Sequence, residues 1–154
     1  MEIGASIGSD IPFCILGGTA MVEGRGEFVR PIAGPEPLTL LVVKPDFGAS
    51  TALVYQEFDR LKNLEFKDRS ASMEVALAEG KDFKEFLYND LQRVTTTLYP
   101  EVQEVLDEMG DYGKYRLMSG SGPTCLCFGD NDSIKILYEK FSKRYKDVYV
   151  TSMV

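Results

Sequence analysis

One short stretch of this chain holds residue types that handle phosphate. Met118-Ser119-Gly120-Ser121-Gly122-Pro123-Thr124 lies between an apolar approach, Tyr115-Arg116-Leu117, and an apolar strand-like run, Thr124 to Phe128. Glycines let the backbone turn without steric cost and approach a ligand closely. Backbone N–H groups freed in such a turn face an anion, typically a phosphate. The same residues also make an ordinary Gly/Ser turn between two strands, and the loop alone leaves both readings open. The chain contains no histidine. That excludes His-based triads, His-dependent acid–base chemistry and most zinc sites. Catalysis here must use a carboxylate, a lysine, the backbone, or a metal ion brought with the substrate. No resident metal site is read from the sequence.

The 154 residues suit one ordinary domain with enough chain to bury a core. Twenty-four acidic and 17 basic residues give a net charge of −7. That balance argues against a nucleic acid or an anionic membrane surface as partner. No apolar run approaches the ~20 residues of a membrane span, and Met1-Glu2-Ile3-Gly4 does not have the form of a signal peptide. The three cysteines, Cys14, Cys125 and Cys127, read as buried free thiols in a reducing cytoplasm. Cys125 and Cys127 would face the same side of a strand.

The elements that must position the loop follow from periodicity. Residues 1–10 show no full amphipathic period and run into a Gly-Ser-Asp turn. Gly17 to Glu23 reads as a strand, Gly24-Arg25-Gly26 as a tight turn with Arg25 exposed, and Glu27 to Ile32 as the returning strand. Ala33 to Pro37 is a linker and a subdomain boundary. Leu38 to Val43 is a buried strand. Ser50 can cap a helix whose Val54, Phe58 and Leu61 share a face. A second helix lies near Met73, Ala76 and Leu77 and stops at Gly80. A third carries Phe83, Leu87, Leu91, Val94 and Leu98. Pro100 opens a fourth with Val102, Val105, Leu106 and Met109 inward, ended by Gly110. The acidic residues Glu101, Glu104, Asp107 and Glu108 form its solvated face. After the strands flanking the loop, Ile134, Leu137, Tyr138, Phe141 and Tyr145 make a helical stripe. Asp147 to Met153 closes as a strand. The order implies an α+β domain, with helices on one face of a mainly antiparallel sheet.

Four segments together resemble the GHMP kinase superfamily. They are Gly8-Ser9-Asp10-Ile11-Pro12-Phe13 followed by Gly17-Gly18-Thr19-Ala20, Gly24-Arg25-Gly26-Glu27, Lys44-Pro45-Asp46-Phe47-Gly48-Ala49-Ser50-Thr51-Ala52-Leu53-Val54-Tyr55, and Ser119 to Thr124. Asn89-Asp90-Leu91 adds to them. The Gly-Ser loop marks only the superfamily. The first and third segments resemble the branch that phosphorylates the 2-hydroxyl of cytidine-diphosphate-linked methylerythritol in non-mevalonate isoprenoid biosynthesis. The resemblance implies the superfamily's C-terminal domain over residues 37–154, with a four-stranded sheet. It makes residues 1–36 a remnant of the N-terminal kinase domain that includes a β-hairpin.

What this resemblance implies for the site is specific. Asp10 is the catalytic aspartate, accepting the proton of the substrate hydroxyl; by spacing alone it is a turn or capping residue. Ser50, Thr51 and Tyr55 bind substrate, Tyr55 by stacking on the cytosine ring; read from the helix alone, Tyr55 is a half-buried core aromatic. Ser119, Gly120, Ser121 and Gly122 meet the phosphates of nucleotide or substrate. ATP with Mg²⁺ is the implied co-substrate. The branch's lysine and Gly-rich phosphate loop, which belong to the N-terminal half, are absent from these residues. The expectation is therefore a C-terminal half, inactive or very weak alone, whose N-terminal half is supplied in cis or in trans. Self-association, as a homodimer, is expected from the apolar interface left open. Alternatives are another GHMP small-molecule kinase, such as homoserine kinase, and a non-catalytic binding or assembly module on the same fold.

Overall fold

The computed structural model describes residues 2–61, 68–113 and 115–153. The described residues within Met1–Glu36 and Lys67–Phe86 form one compact unit, and those within Pro37–Phe66 and Leu87–Met153 the other.

The first unit opens with two short helices, α1 (Glu2–Ile7) and α2 (Ile11–Leu16). The sequence pattern reads these residues as non-helical, because six-residue helices are too short to show an amphipathic period. Pro12 at the start of α2 suits a first turn, where its missing N–H costs nothing. β1 (Ala20–Glu23) and β2 (Phe28–Pro31) pair antiparallel as the expected hairpin around Gly24-Arg25-Gly26. Cys14 is exposed on α2, not buried. Later in the chain the unit regains α4 (Ser70–Ala78), which ends before Gly80, and a 3-10 turn at Lys84–Phe86. Arg30 of β2 donates both guanidinium nitrogens to Glu74 of α4, at 2.6 and 2.9 Å.

The second unit carries the sheet. β3 (Leu38–Lys44), β4 (Tyr115–Met118), β5 (Cys125–Phe128) and β6 (Asp147–Met153) lie in the order β4-β5-β3-β6, every neighbouring pair antiparallel. Register puts Met118, Cys125, Val43 and Val148 in one row and Cys127 with Leu41 in the next. Alternation then sends all of these to the same face. Two helices fill that face, α6 (Pro100–Gly110) with Val102, Val105, Leu106 and Met109, and α7 (Asn131–Phe141) with Ile134, Leu137 and Phe141. Cys125 and Cys127 are fully buried there, as the strand pattern implies. Tyr138, placed in the same stripe by spacing, is exposed, whereas Tyr145 just beyond the helix is buried.

α3 (Thr51–Arg60) and α5 (Gln92–Leu98) complete the unit. The single helix expected across Phe83 to Leu98 is broken. Residues 87–91 leave the helix because Asn89 spends its side chain on backbone groups. Its Oδ1 accepts from the Leu91 N–H at 2.9 Å, a local turn that competes with helix. The acidic face of α6 is also more than solvated. Glu101 accepts from the Tyr145 hydroxyl, and Glu108 pairs with Arg144 and Lys140. Among the described residues, no helix is long and apolar enough to cross a membrane.

Candidate active site

The Gly-Ser loop joins β4 to β5, so a rigid antiparallel pair holds both of its ends. The Ser119 N–H donates to the Thr124 carbonyl at 2.8 Å, and the Gly122 N–H donates back to the Ser119 carbonyl at 2.9 Å. Gly120 and Gly122 have φ of +54° and +80°, a region that side-chain-bearing residues avoid. A Cβ on Gly122 would also sit 2.6 Å from the Met118 sulfur and 3.0 Å from Thr95 Cγ2. The N–H groups of Gly120 and Ser121 have no acceptor among the described residues. Ser119 and Gly120 are exposed, and Ser121 is half-buried. Two adjacent donors with no acceptor among the described residues can receive an anion.

The third predicted segment meets this loop. Ser50 caps α3, its hydroxyl accepting from the Leu53 N–H at 3.3 Å. Thr51, the first residue of the helix, lies with its hydroxyl 2.9 Å from that of Ser121. The positive end of the α3 dipole therefore adjoins the loop's free donors, which also favours negative charge. Tyr55 is one turn further along α3 and 52% exposed, with its ring open to a partner. Tyr99, half-buried, fixes the helix entry: its hydroxyl accepts from the Ser50 N–H at 3.1 Å, and its ring stacks on Phe47 at 5.6 Å.

Asp10 belongs to the first unit. It is exposed and stands at the N-cap position of α2, but its carboxylate makes no cap hydrogen bond. The capping alternative therefore does not account for the side chain. Its neighbour Ser9 is held by the hairpin. A Cβ on Gly26, whose φ is +107°, would lie 2.1 Å from the Ser9 carbonyl oxygen. Only glycine lets the hairpin turn approach that closely. The first two predicted segments thus touch each other, and the third and fourth touch each other.

Sequence reasoning noted Asn89 only within the Asn89-Asp90-Leu91 resemblance and gave no role to the residues that hold the loop from behind. Asn89 Nδ2 donates to the carbonyls of Met118 and Gly120 at 2.8 and 2.7 Å. Gln92 accepts from the Met118 N–H at 2.9 Å. Thr95, fully buried, donates to the Ser121 carbonyl at 3.2 Å. The signal was present in Asn89-Asp90-Leu91, a polar pair inside an apolar helical stripe.

This fold and loop define a class. Residues 73–147 match the family model described as GHMP kinases C terminal. The chain has the α+β fold of a GHMP kinase C-terminal domain. Within that class it is similar over its length to kinases of one kind. It is 38% identical to the 4-diphosphocytidyl-2-C-methyl-D-erythritol kinase of Clostridium acetobutylicum, the match covering 100% of this chain and 56% of that protein. It is 38% identical to the enzyme of the same name from Shouchella clausii, over 99% of this chain and 52% of that protein. A crystal structure of 4-(cytidine 5'-diphospho)-2C-methyl-D-erythritol kinase superposes with a TM-score of 0.78 at 27% identity, covering 96% of this chain and 54% of that one. The chain spans about half the length of the curated relatives it matches.

Proposed function

We propose that this chain supplies the C-terminal part of an ATP-dependent kinase that phosphorylates the 2-hydroxyl of 4-diphosphocytidyl-2-C-methyl-D-erythritol. The observation that carries the reading is the junction of α3 with the Gly-Ser loop. Two segments about 70 residues apart meet through Thr51 and Ser121, and unpaired N–H groups lie beside that contact. Ser119 to Gly122 meet phosphate oxygens, Ser50 and Thr51 line the substrate side, and Tyr55 stacks on the cytosine ring. Asp10 accepts a hydrogen bond from the attacking hydroxyl and orients it.

Phosphoryl transfer is mostly positioning and charge neutralisation. The lysine and the Gly-rich phosphate loop that complete those tasks come from the N-terminal half, in cis or in trans. Mg²⁺ arrives with ATP as part of the substrate. Among the described residues no group of three His, Cys, Asp or Glu could hold a metal ion. In this reading residues 1–36 correspond to the end of the N-terminal kinase domain and 37–154 to the second domain, from which the compact units differ in grouping described residues of 67–86 with the first. Ile3, Ile7, Ile15, Val22 and Phe28 support this division, since all are exposed in the first unit. A surface of that kind is normally covered. It favours self-association of the isolated chain, and a monodisperse monomer by light scattering would contradict that. Two buried free thiols fit a reducing cytoplasm.

The test is transfer from labelled ATP to 4-diphosphocytidyl-2-C-methyl-D-erythritol. It compares this chain alone, the chain combined with the N-terminal half of a related kinase, and the same combination carrying Asp10→Asn. The expected outcome is little or no transfer by the chain alone and clear transfer by the combination. The variant should fall by roughly 10²-fold or more. Robust turnover by the chain alone would refute its dependence on the other half. Transfer to homoserine or mevalonate in preference would move the substrate to another member of the superfamily.

A further inference from the structure

We propose that Asn89, together with Thr95, is a positioning residue that aims the free N–H groups of the Gly-Ser loop at the anion. The loop continues β4. β4 is an edge strand, so the backbone groups on its outer side have no neighbouring strand. At Met118 they are met by side chains instead: Gln92 accepts from the N–H and Asn89 donates to the carbonyl. Asn89 then reaches two residues further and holds the Gly120 carbonyl with its second amide hydrogen. Thr95 holds the next carbonyl, that of Ser121.

Each anchored carbonyl dictates the direction of an N–H. In a planar trans peptide the C=O and the following N–H point in opposite directions. With the Gly120 carbonyl fixed on Asn89, the Ser121 N–H points away from it. With the Ser119 carbonyl taken by the Gly122 N–H, the Gly120 N–H points away from the loop interior. These are the two donors without an acceptor among the described residues. Glycine at 120 and 122 makes the loop easy to fold and equally easy to misorient, because a glycine peptide can rotate at little steric cost. The clamp from residues 89–95 removes that freedom. A donor pair fixed in advance binds an anion without a reorganisation cost, which a free glycine loop would have to meet on binding.

Asn89→Asp isolates this role. The carboxylate keeps Oδ1 for the Leu91 N–H, so the local turn survives. It replaces two donated hydrogens with negative charge facing the carbonyls of Met118 and Gly120. The expected result has three parts. Amide-exchange protection of the Ser119 and Gly122 N–H groups falls at least tenfold, while the β3 amides of Leu41 and Val43 stay protected. Affinity for inorganic pyrophosphate falls at least tenfold. Loop protection then recovers in part on acidification, because a protonated carboxyl regains one donor; facing carbonyls raises its pKa. A merely structural role would lower protection of loop and β3 together and show no such recovery. Unchanged exchange at Ser119 and Gly122 in a folded Asn89→Asp chain would overturn the proposal. If β3 protection is lost as well, Thr95→Val carries the test. It keeps the shape and removes only the donor to Ser121, and unchanged loop protection there overturns the proposal equally. The significance of the clamp rests on the phosphate reading above. Failure of the unsubstituted chain to bind pyrophosphate would count against that reading, whereas the exchange data decide the clamp independently.

Discussion

At the scale of single residues, the site divides into groups that face a ligand and groups that hold them. In the proposed function Tyr55 is of the first kind. A tyrosine at this helical spacing is usually half-buried, yet this residue is more than half exposed, one turn along α3 from the Thr51 that meets the Gly-Ser loop. Stacking of a base on such a ring is worth roughly 1–3 kcal/mol. Tyr55→Ala should therefore weaken CDP binding about 5- to 150-fold by calorimetry, with little change in thermal stability. Comparable losses of CDP and inorganic pyrophosphate affinity would show that the ring supports the helix and does not bind the base. Asp10 differs in kind, because among the described residues its carboxylate makes no cap hydrogen bond. Its Ser9 neighbour is pinned against Gly26, so the turn is placed while the side chain stays available.

At the scale of elements, the structure depends on ends more than on lengths. The α7 helix begins where Asp130 accepts from the Ser133 N–H and hydroxyl, both at 2.8 Å. Those bonds hold the Asp130 carboxyl below its usual range. Asp130→Ala removes the cap and should lower stability in urea unfolding. The midpoint should shift and the slope stay constant. An unchanged midpoint would show that packing of Ile134, Leu137 and Phe141 fixes the helix without its cap. Elements of this kind were legible in the sequence because their signals are local. Ser50 before a periodic run, Pro100 at a first turn and the apolar runs of β3 and β5 each appear within a few residues. What escaped was non-local. The break at residues 87–91 joins the local Asn89–Leu91 turn to Asn89 bonds with carbonyls 29 and 31 residues away, and no periodicity records those distant partners. Helices α1 and α2 escaped because six residues cannot show a period. The turn of the Gly-Ser loop between two strands was legible through its glycines, whereas its support from Gln92 and Thr95 depends on tertiary contact.

At the scale of the whole molecule, the absence of histidine has a consequence for stability. No imidazole titrates near neutrality, and the two core thiols are displaced from that range. Burial pushes the Cys125 thiol up to about 12, and burial outweighs the nearby Arg116 charge to push Cys127 up to about 11. The displaced carboxylates move the other way. Hydrogen bonds from Arg144 and Lys140 outweigh the burial of Glu108 and lower it, and the bond from Lys44 lowers Asp147. A carboxylate lowered in the folded state stabilises it above the unfolded pKa of ~4, and that contribution is lost as pH falls through the folded value. A thiol raised in the folded state works at the opposite end. Above ~8.5 the unfolded chain releases the proton while the folded core keeps it, so stability falls as pH rises. Stability should therefore be level from roughly pH 5 to 8 and decline on both sides. Lysine and tyrosine also titrate at high pH, so the thiol share must be isolated by substitution. Cys125→Ala opens a small cavity, which lowers the whole curve uniformly. It also removes one titrating group, which changes the slope alone. The variant's alkaline limb should be shallower than the parent's by up to about 1.4 kcal/mol per pH unit between roughly pH 9 and 11. Parallel limbs would mean that the Cys125 thiol ionises within the folded core. A steep change between pH 6 and 7.5 would mean that some group other than histidine titrates there.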